Sequence, residues 1–224
     1  MATVPFRPHK VSTLYRTHLA LGARWVENGE WRLPEAFADP QLEAERVRQS
    51  VGLQDVSATC KLDLKGRDIE TLLAGLASAT QLYVFRLRPD HALLHTPPAR
   101  QGEVAEELLR ALSQEPCCAH LTDVTSALSA FALVGPKAGG VLAKLTSLDL
   151  RPQAFADGAC AQTAVAKVHA IMIRQDWGRL PAYRLLLDRS YAEYAWEAIR
   201  QAGESLGLVP FGLAAARLLR GENA

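Results

Sequence analysis

The sequence predicts an α+β fold. Strand and helix signals alternate as strand–helix–strand–strand–helix, and that order runs twice along the chain. The composition agrees: 224 residues, 49% apolar and 22% charged, give enough length and hydrophobicity for a packed core. Strands joined by short turns pair antiparallel, and helices segregated to one face make each half a ferredoxin-like split β-α-β unit.

Taken in order, residues 1–50 read as an arm followed by a helix. Asp39-Pro40 starts that helix, with proline at the first position, and Leu42–Ser50 is rich in helix formers before Gly52 ends it. Lys61-Leu62-Asp63-Leu64-Lys65 alternates as a half-buried strand closed by Gly66. Ile69–Leu76 reads as a short helix. Leu82–Leu87 is a strand, Arg88-Pro89-Asp90 its turn, and Ala92–Leu94 pairs back. Past Pro97-Pro98, Val104, Leu108 and Leu112 mark one face of a helix over Glu103–Leu112. Phe131–Val134 is a buried strand, and Gly135-Pro136 opens a helix running to Leu145. Val165–Arg174 and Tyr183–Leu187 are two further strands. Ser190-Tyr191-Ala192-Glu193 is a capping box at the head of the next helix, whose end falls at Gly203 or Gly207.

Charge and cysteines narrow the function. A net charge of +1 argues against a general nucleic-acid binder, and Arg86/Arg88 and Arg217/Arg220 read as solvated pairs. No apolar run approaches the roughly 20 residues that span a bilayer, and Met1–Lys10 leads into no apolar signal core, so a cytoplasmic protein without membrane contact is expected. Adjacent Cys117 and Cys118 with distant Cys60 and Cys160 make no disulfide framework. The run Cys117-Cys118-Ala119-His120 lacks a second ligand pair, so buried thiols before a strand are expected rather than a metal. His91 and His95 share a strand face at i, i+4 but read as turn-proximal residues, and His169 as a satisfied or exposed strand residue. Gly135-Pro136-Lys137-Ala138-Gly139-Gly140 lacks Walker spacing; no nucleophile elbow and no dinucleotide fingerprint occur. Trp31 and Trp177 each sit beside turn residues, where a ring packs in the core or faces a pocket or partner.

Two family resemblances reach further. Leu14-Tyr15-Arg16-Thr17-His18 with Leu21–Arg24 and Trp31-Arg32-Leu33-Pro34 resembles the opening arm of the glycine-cleavage T-protein, a folate-dependent aminomethyltransferase. So do Val51–Ser57, Lys65-Gly66, Leu133–Ala138 and Pro210-Phe211-Gly212-Leu213. The resemblance implies a T-protein-like fold of two interleaved split units without the C-terminal barrel. It forms one unit over 1–224, with a lobe at 60–118 inserted between 1–59 and 119–224. It also locates a degenerate folate pocket. The family's Asp-Asp-Leu falls on Thr80-Gln81-Leu82, its folate-binding glutamate on Arg184, an arginine on Ala216, and only an aromatic survives, at Trp177. A pterin's amino-pyrimidine edge takes a bidentate carboxylate, so these changes remove the anchor and reverse its charge.

The second resemblance is to the gamma subunit of heterotetrameric sarcosine oxidases. It rests on Leu148-Asp149-Leu150-Arg151-Pro152, Phe155, Gly158–Thr163, Tyr183–Leu187, and Ser190-Tyr191 with Tyr194 and Trp196. It implies an accessory chain without catalytic residues, metal or cofactor of its own. Larger flavin-binding subunits would be the partners and would carry FAD, FMN and tetrahydrofolate. Trp31, Leu148, Asp149, Arg151, Phe155 and Gln162 are the candidate interface. The alternative is a stand-alone folate-dependent aminomethyltransferase or demethylase, which the well-kept arm favours.

Overall fold

Three sheets organise the chain in the computed structural model, which describes residues 9–75, 82–96, 101–114 and 118–221. After α1 (Tyr15–Ala20), the arm folds into a hairpin of β1 (Arg24–Asn28) and β2 (Trp31–Ala36), turned at Gly29 with φ of 61°. Helix α2 (Pro40–Gln49) starts as the sequence requires. The Asp39 carboxylate accepts from the Gln41 and Leu42 amides at 3.0 and 3.2 Å, ahead of Pro40. The helix stops at Gln49, and Gly52 lies inside the next strand, β3 (Val51–Asp55), rather than ending the helix. A Cβ there would come within 2.5 Å of both Val47 and Phe211, so glycine serves close packing.

The second sheet is one contiguous β-α-β-β-α-β unit. It runs β4 (Cys60–Gly66), α3 (Ile69–Gly75), β5 (Tyr83–Arg88), β6 (His91–Thr96), α4 (Gln101–Gln114) and β7 (Ala119–Asp123), in spatial order β5-β6-β4-β7. This is the split-unit order expected, with every pair antiparallel. Leu62, Leu64 and Leu94 point to α3 and α4 and bury with Ile69, Val104 and Leu108. Lys61, Asp63 and Lys65 take the opposite face, as the alternation dictates. That face is solvated only at its far end: Lys61 is 0% exposed, whereas Lys65 is exposed.

The third sheet, order β12-β3-β8-β11-β10-β9, joins β3 to β8 (Leu128–Val134), β9 (Cys160–Val165), β10 (Val168–Arg174), β11 (Ala182–Asp188) and β12 (Leu208–Pro210). Helix α5 (Ala138–Leu142) follows β8, α6 (Ala192–Glu204) follows β11, and α7 (Leu213–Arg220) follows β12. The split-unit order recurs here, with β3 wedged parallel to β12 and β9 added at the far edge. Helices cover both faces of this sheet, not one. Phe131, Leu133, Leu185 and Leu187 pack on α5 and α6, whereas Ala130, Ala132, Val134 and Leu186 pack towards α2, α7 and the second sheet. The β8 run is apolar at consecutive positions because both of its faces are covered.

Two sequence expectations fail locally. Val165–Arg174 is not one strand. Ala166 and Lys167 adopt φ of 50° and 67°, the left-handed pair of a tight turn, and split it into β9 and β10. Ser190 is not a helix cap either. The Asp188 carboxylate accepts from its amide at 2.8 Å and its hydroxyl at 2.5 Å, making a 3-10 turn (Arg189–Tyr191) ahead of α6. The helix starts too late for Glu193 to reach back to Ser190. Helix α5 also ends at Leu142, three residues short of Leu145.

One buried carboxylate locks the ends together. Glu43 of α2 is 3% exposed and accepts from the amides of Phe37 and Ala38 at 2.6 Å each and of Gly212 at 2.9 Å. It thereby ties the arm to the start of α7.

Candidate functional site

A cleft of about 630 Å³ opens between the second and third sheets, bounded by the arm and α7. Its residues come from strand alternation. In β11, Tyr183, Leu185 and Leu187 face α5 and α6, so Arg184 turns to the other side. Register places Gln54 of β3 opposite Ala132 of β8, and Ala132 opposite Arg184, giving a cross-sheet row with a small residue in the middle. From the second sheet, His95 meets this row: its Nε2 accepts from Arg184 Nη1 at 2.5 Å. Tyr83 and Thr59 add to that side, and Asn28, Leu33 and Pro34 bring the arm to the rim.

Two carboxylates line the cleft among the described residues, and each is engaged. Asp55 accepts from His18 Nε2 at 3.0 Å and from the Ser57 amide at 2.9 Å. Burial pushes its pKa up, but the His18 and serine hydrogen bonds outweigh that and hold the carboxyl below its usual range. Asp176 takes both Nε and Nη2 of Arg174, at 3.1 and 3.0 Å, and the Ala182 amide at 3.1 Å. The cations are less well matched. Arg184 is 6% exposed and has no ion-pair partner among the described residues; burial and then Arg220 pull its pKa down to about 10. Lys61 donates to the Ser57 and Thr59 carbonyls at 2.7 and 2.9 Å, and burial draws it down to about 8. His95 is held well below the usual histidine range by burial and then by Arg184 and Lys61, so it is neutral at pH 7.

Three of the five expected pocket positions line this cleft: Trp177, Arg184 and Ala216. Thr80 and Gln81 lie outside the described residues. Trp177 sits in a turn closed by Gly178 at φ 61°, packs edge-on to Phe211, and carries the Arg220 guanidinium 4.0 Å over its ring. Arg217 and Arg220 are exposed, as read from sequence, yet both reach the cleft. The expected interface residues divide. Phe155 is buried, Leu148 packs against the core beside α5 and α6, and Trp31 is 8% exposed, lining a separate groove of about 190 Å³. Asp149, Arg151 and Gln162 are exposed. Arg151 chelates Asp149 through Nε and Nη2, and those hydrogen bonds pull the Asp149 carboxyl down to about 2.

Sequence reasoning passed over Gln54, Asp55 and His95, which line the cleft, and Lys61, whose charge acts on His95. Lys61–Lys65 read as a half-buried strand, and nothing local signals that Lys61 on its polar side is covered as well. The i, i+4 histidines do share that face, but His91 pairs with Asp63 at 2.5 Å while His95 meets Arg184. His169 is exposed. Cys118 is exposed beside Arg67 Nη2 at 3.2 Å, contrary to the expected burial, and Cys117 lies outside the described residues.

The family described as "GCVT N-terminal domain" matches residues 14–82 and 77–224. The chain belongs to this family. Within the GCVT N-terminal domain family it is similar to the aminomethyltransferase of Geobacillus kaustophilus, 30% identical over 95% of this chain and 64% of that protein. It is similar also to sarcosine oxidase subunit alpha of Corynebacterium sp. strain U-96, 26% identical over 96% of this chain and 26% of that one. The chain thus spans about 64% of the aminomethyltransferases it matches. Among solved structures, aminomethyltransferase T of the Bartonella henselae glycine cleavage system superposes with a TM-score of 0.79 at 19% identity, covering 94% of this chain and 62% of that one. A chain of the heterotetrameric sarcosine oxidase of Corynebacterium sp. U-96 gives 0.65 at 24%, covering 88% and 96%. At these identities the superpositions establish the T-protein-like fold. Among the described residues no helix is long and apolar enough to cross a membrane.

Proposed function

We propose that this chain is a non-catalytic, gamma-type accessory subunit of a heteromeric flavin-dependent oxidase or dehydrogenase of sarcosine-type secondary amines. It packs against the larger flavin-bearing chains in the cytoplasm and stabilises them. FAD, FMN and tetrahydrofolate reside on those chains.

The observation that carries the reading is the state of the cleft's carboxylates. A pterin edge needs an acceptor able to take two N–H groups. Asp55 is occupied by His18 and Ser57, and Asp176 by Arg174 and Ala182. At the position where the resemblance places the folate-binding acid stands Arg184, a donor. Each charge-assisted bond forgone is worth about 1.5–3 kcal/mol, one to two decades of affinity. The likeness to a chain of a heterotetrameric sarcosine oxidase supports a fold suited to such an assembly.

A stand-alone folate-dependent one-carbon protein is the second reading, favoured by the arm residues Asn28, Leu33 and Pro34 at the cleft rim. Two measurements separate them. Purified from its host with a tag, the chain should bring down larger polypeptides with a flavin absorption spectrum; made alone, it should bind no flavin and oxidise no amine. Calorimetry of the isolated chain with tetrahydrofolate should be silent. A monomer without a flavoprotein partner that binds tetrahydrofolate more tightly than about 100 µM, an affinity of about 5.5 kcal/mol, overturns the proposal.

A further inference from the structure

Arg184 is a buried cation without a counter-ion among the described residues. The groups that act on it among the described residues are His95, Lys61, Arg220 and the Tyr83 hydroxyl, none of them a carboxylate. A buried lysine can shed its proton, but arginine at pH 7 cannot, so the unpaired charge stays. Its Nε has no hydrogen-bond partner, nor has His95 Nδ1, and Gln54 Oε1 is an acceptor left over. With Nε2 accepting from Arg184, the neutral His95 ring carries its proton on Nδ1, which makes that atom a donor. Arg184, His95 and Gln54 are 6%, 4% and 5% exposed, and all line the cleft. Buried polar atoms are nearly always satisfied in a native protein, so three together need an account.

We propose that the cleft over Arg184 is a binding site for a small organic carboxylate, whose flat apolar part lies against Tyr83, Trp177 and Leu33. The guanidinium edge matches a planar carboxylate in a way it does not match a sphere of charge. Arg184 Nε and His95 Nδ1 are the unpaired donors that such a carboxylate would engage as it settles into the cleft, and Gln54 Oε1 is the acceptor for a hydroxyl or amine on the ligand. Arg217 and Arg220 at the exposed side draw anions inward. A volume of about 630 Å³ with aromatic and aliphatic walls suits an organic molecule rather than a lone inorganic ion. The inference holds whether or not the chain joins a flavoprotein complex.

Titration of the full chain with indole-3-acetate, benzoate, indole-3-acetamide and inorganic phosphate, followed by tryptophan fluorescence and thermal shift, tests it. The two carboxylates should bind saturably, with the neutral amide and phosphate each at least tenfold weaker. Arg184→Gln should lose at least tenfold for the carboxylates and nothing for the amide. Equal binding of acid and amide, phosphate binding as tight as the aromatic acids, or an unaffected Arg184→Gln protein overturns the proposal. If that variant does not fold, the ring nitrogens of His95 in the unaltered protein give the answer by NMR. They should shift with indole-3-acetate and not with its amide, and ring signals that ignore the acid would end the idea.

Discussion

Lys61 should make the protein more stable in mild alkali, which is unusual for a lysine. Lys61 is 0% exposed, and its ammonium donates to the Ser57 and Thr59 carbonyls; burial outweighs the Asp55 charge and draws its pKa from 10.5 to about 8. The unfolded chain keeps the proton up to 10.5, whereas the folded chain releases it near 8. Between those values the unfolded state holds more protons, and raising the pH therefore favours folding. The contribution is present in full above 10.5 and is lost as pH falls through 8. At about 1.4 kcal/mol per tenfold change, the whole gap is worth roughly 3 kcal/mol. Integrated, it amounts to about 1.3 kcal/mol between pH 7 and 9 and about 2.5 kcal/mol by pH 10. The neighbouring Cys60 acts oppositely: burial raises its pKa from 9.0 to about 11, so above pH 9 the unfolded thiol ionises first and favours unfolding. A Cys60→Ala background removes that limb. Urea unfolding of Cys60→Ala and Cys60→Ala/Lys61→Met at pH 7, 8, 9 and 10 then isolates the lysine. The stability difference between the two should change by about 2.5 kcal/mol across the series. Parallel curves would refute the reasoning and mean that Lys61 is solvated in the folded chain.

Three further outcomes can be checked. Glu43→Ala should lower stability by about 2–3 kcal/mol in urea unfolding, because the buried Gly212 amide and the part-buried amides of Phe37 and Ala38 lose their acceptor, and Glu43→Gln should cost less. Gly212→Ala should destabilise by about 1–3 kcal/mol in thermal melts, since a Cβ there would lie 2.2 Å from the Glu35 carbonyl oxygen, a backbone atom that cannot swing away. Acid should unfold the chain partly through His95, whose folded pKa lies well below 6.5, so the unfolded state gains a proton first as pH falls through that value. His95→Phe should flatten that limb in a pH series of melts, and an unchanged slope would show that the ring is not buried neutral.

The parts of the fold written in local periodicity were legible. Asp39-Pro40, the alternation at Lys61–Lys65 and the Val104, Leu108 and Leu112 spacing each found the element they indicate. Two local signals misled. The hairpin turn at Ala166 and Lys167 lacks the Asn or Gly that usually marks left-handed residues. The Ser190 cap was lost to Asp188, an equally good acceptor two residues earlier. Trp177, Arg184 and Ala216, which the resemblance picked out, line the cleft. The electrostatics of that cleft were not legible, because the buried state of Lys61 and His95 arises when one sheet's polar face closes on another, and sequence alternation looks the same whether water or protein lies opposite.

The two sheets also differ in when they can be completed during synthesis. Every strand of the second sheet lies between Cys60 and Asp123, so that unit can form while the rest of the chain is still emerging. The third sheet seats β12 against β3, and Val51 must wait for Leu208. At about 5–20 residues per second that interval is roughly eight to thirty seconds. For that time the β3 edge has unpaired backbone groups, the kind of edge on which a nascent chain mispairs or recruits a chaperone. Slower translation after β11 would lengthen the exposure, and synonymous codon changes between residues 188 and 208 should alter soluble yield without altering the final protein.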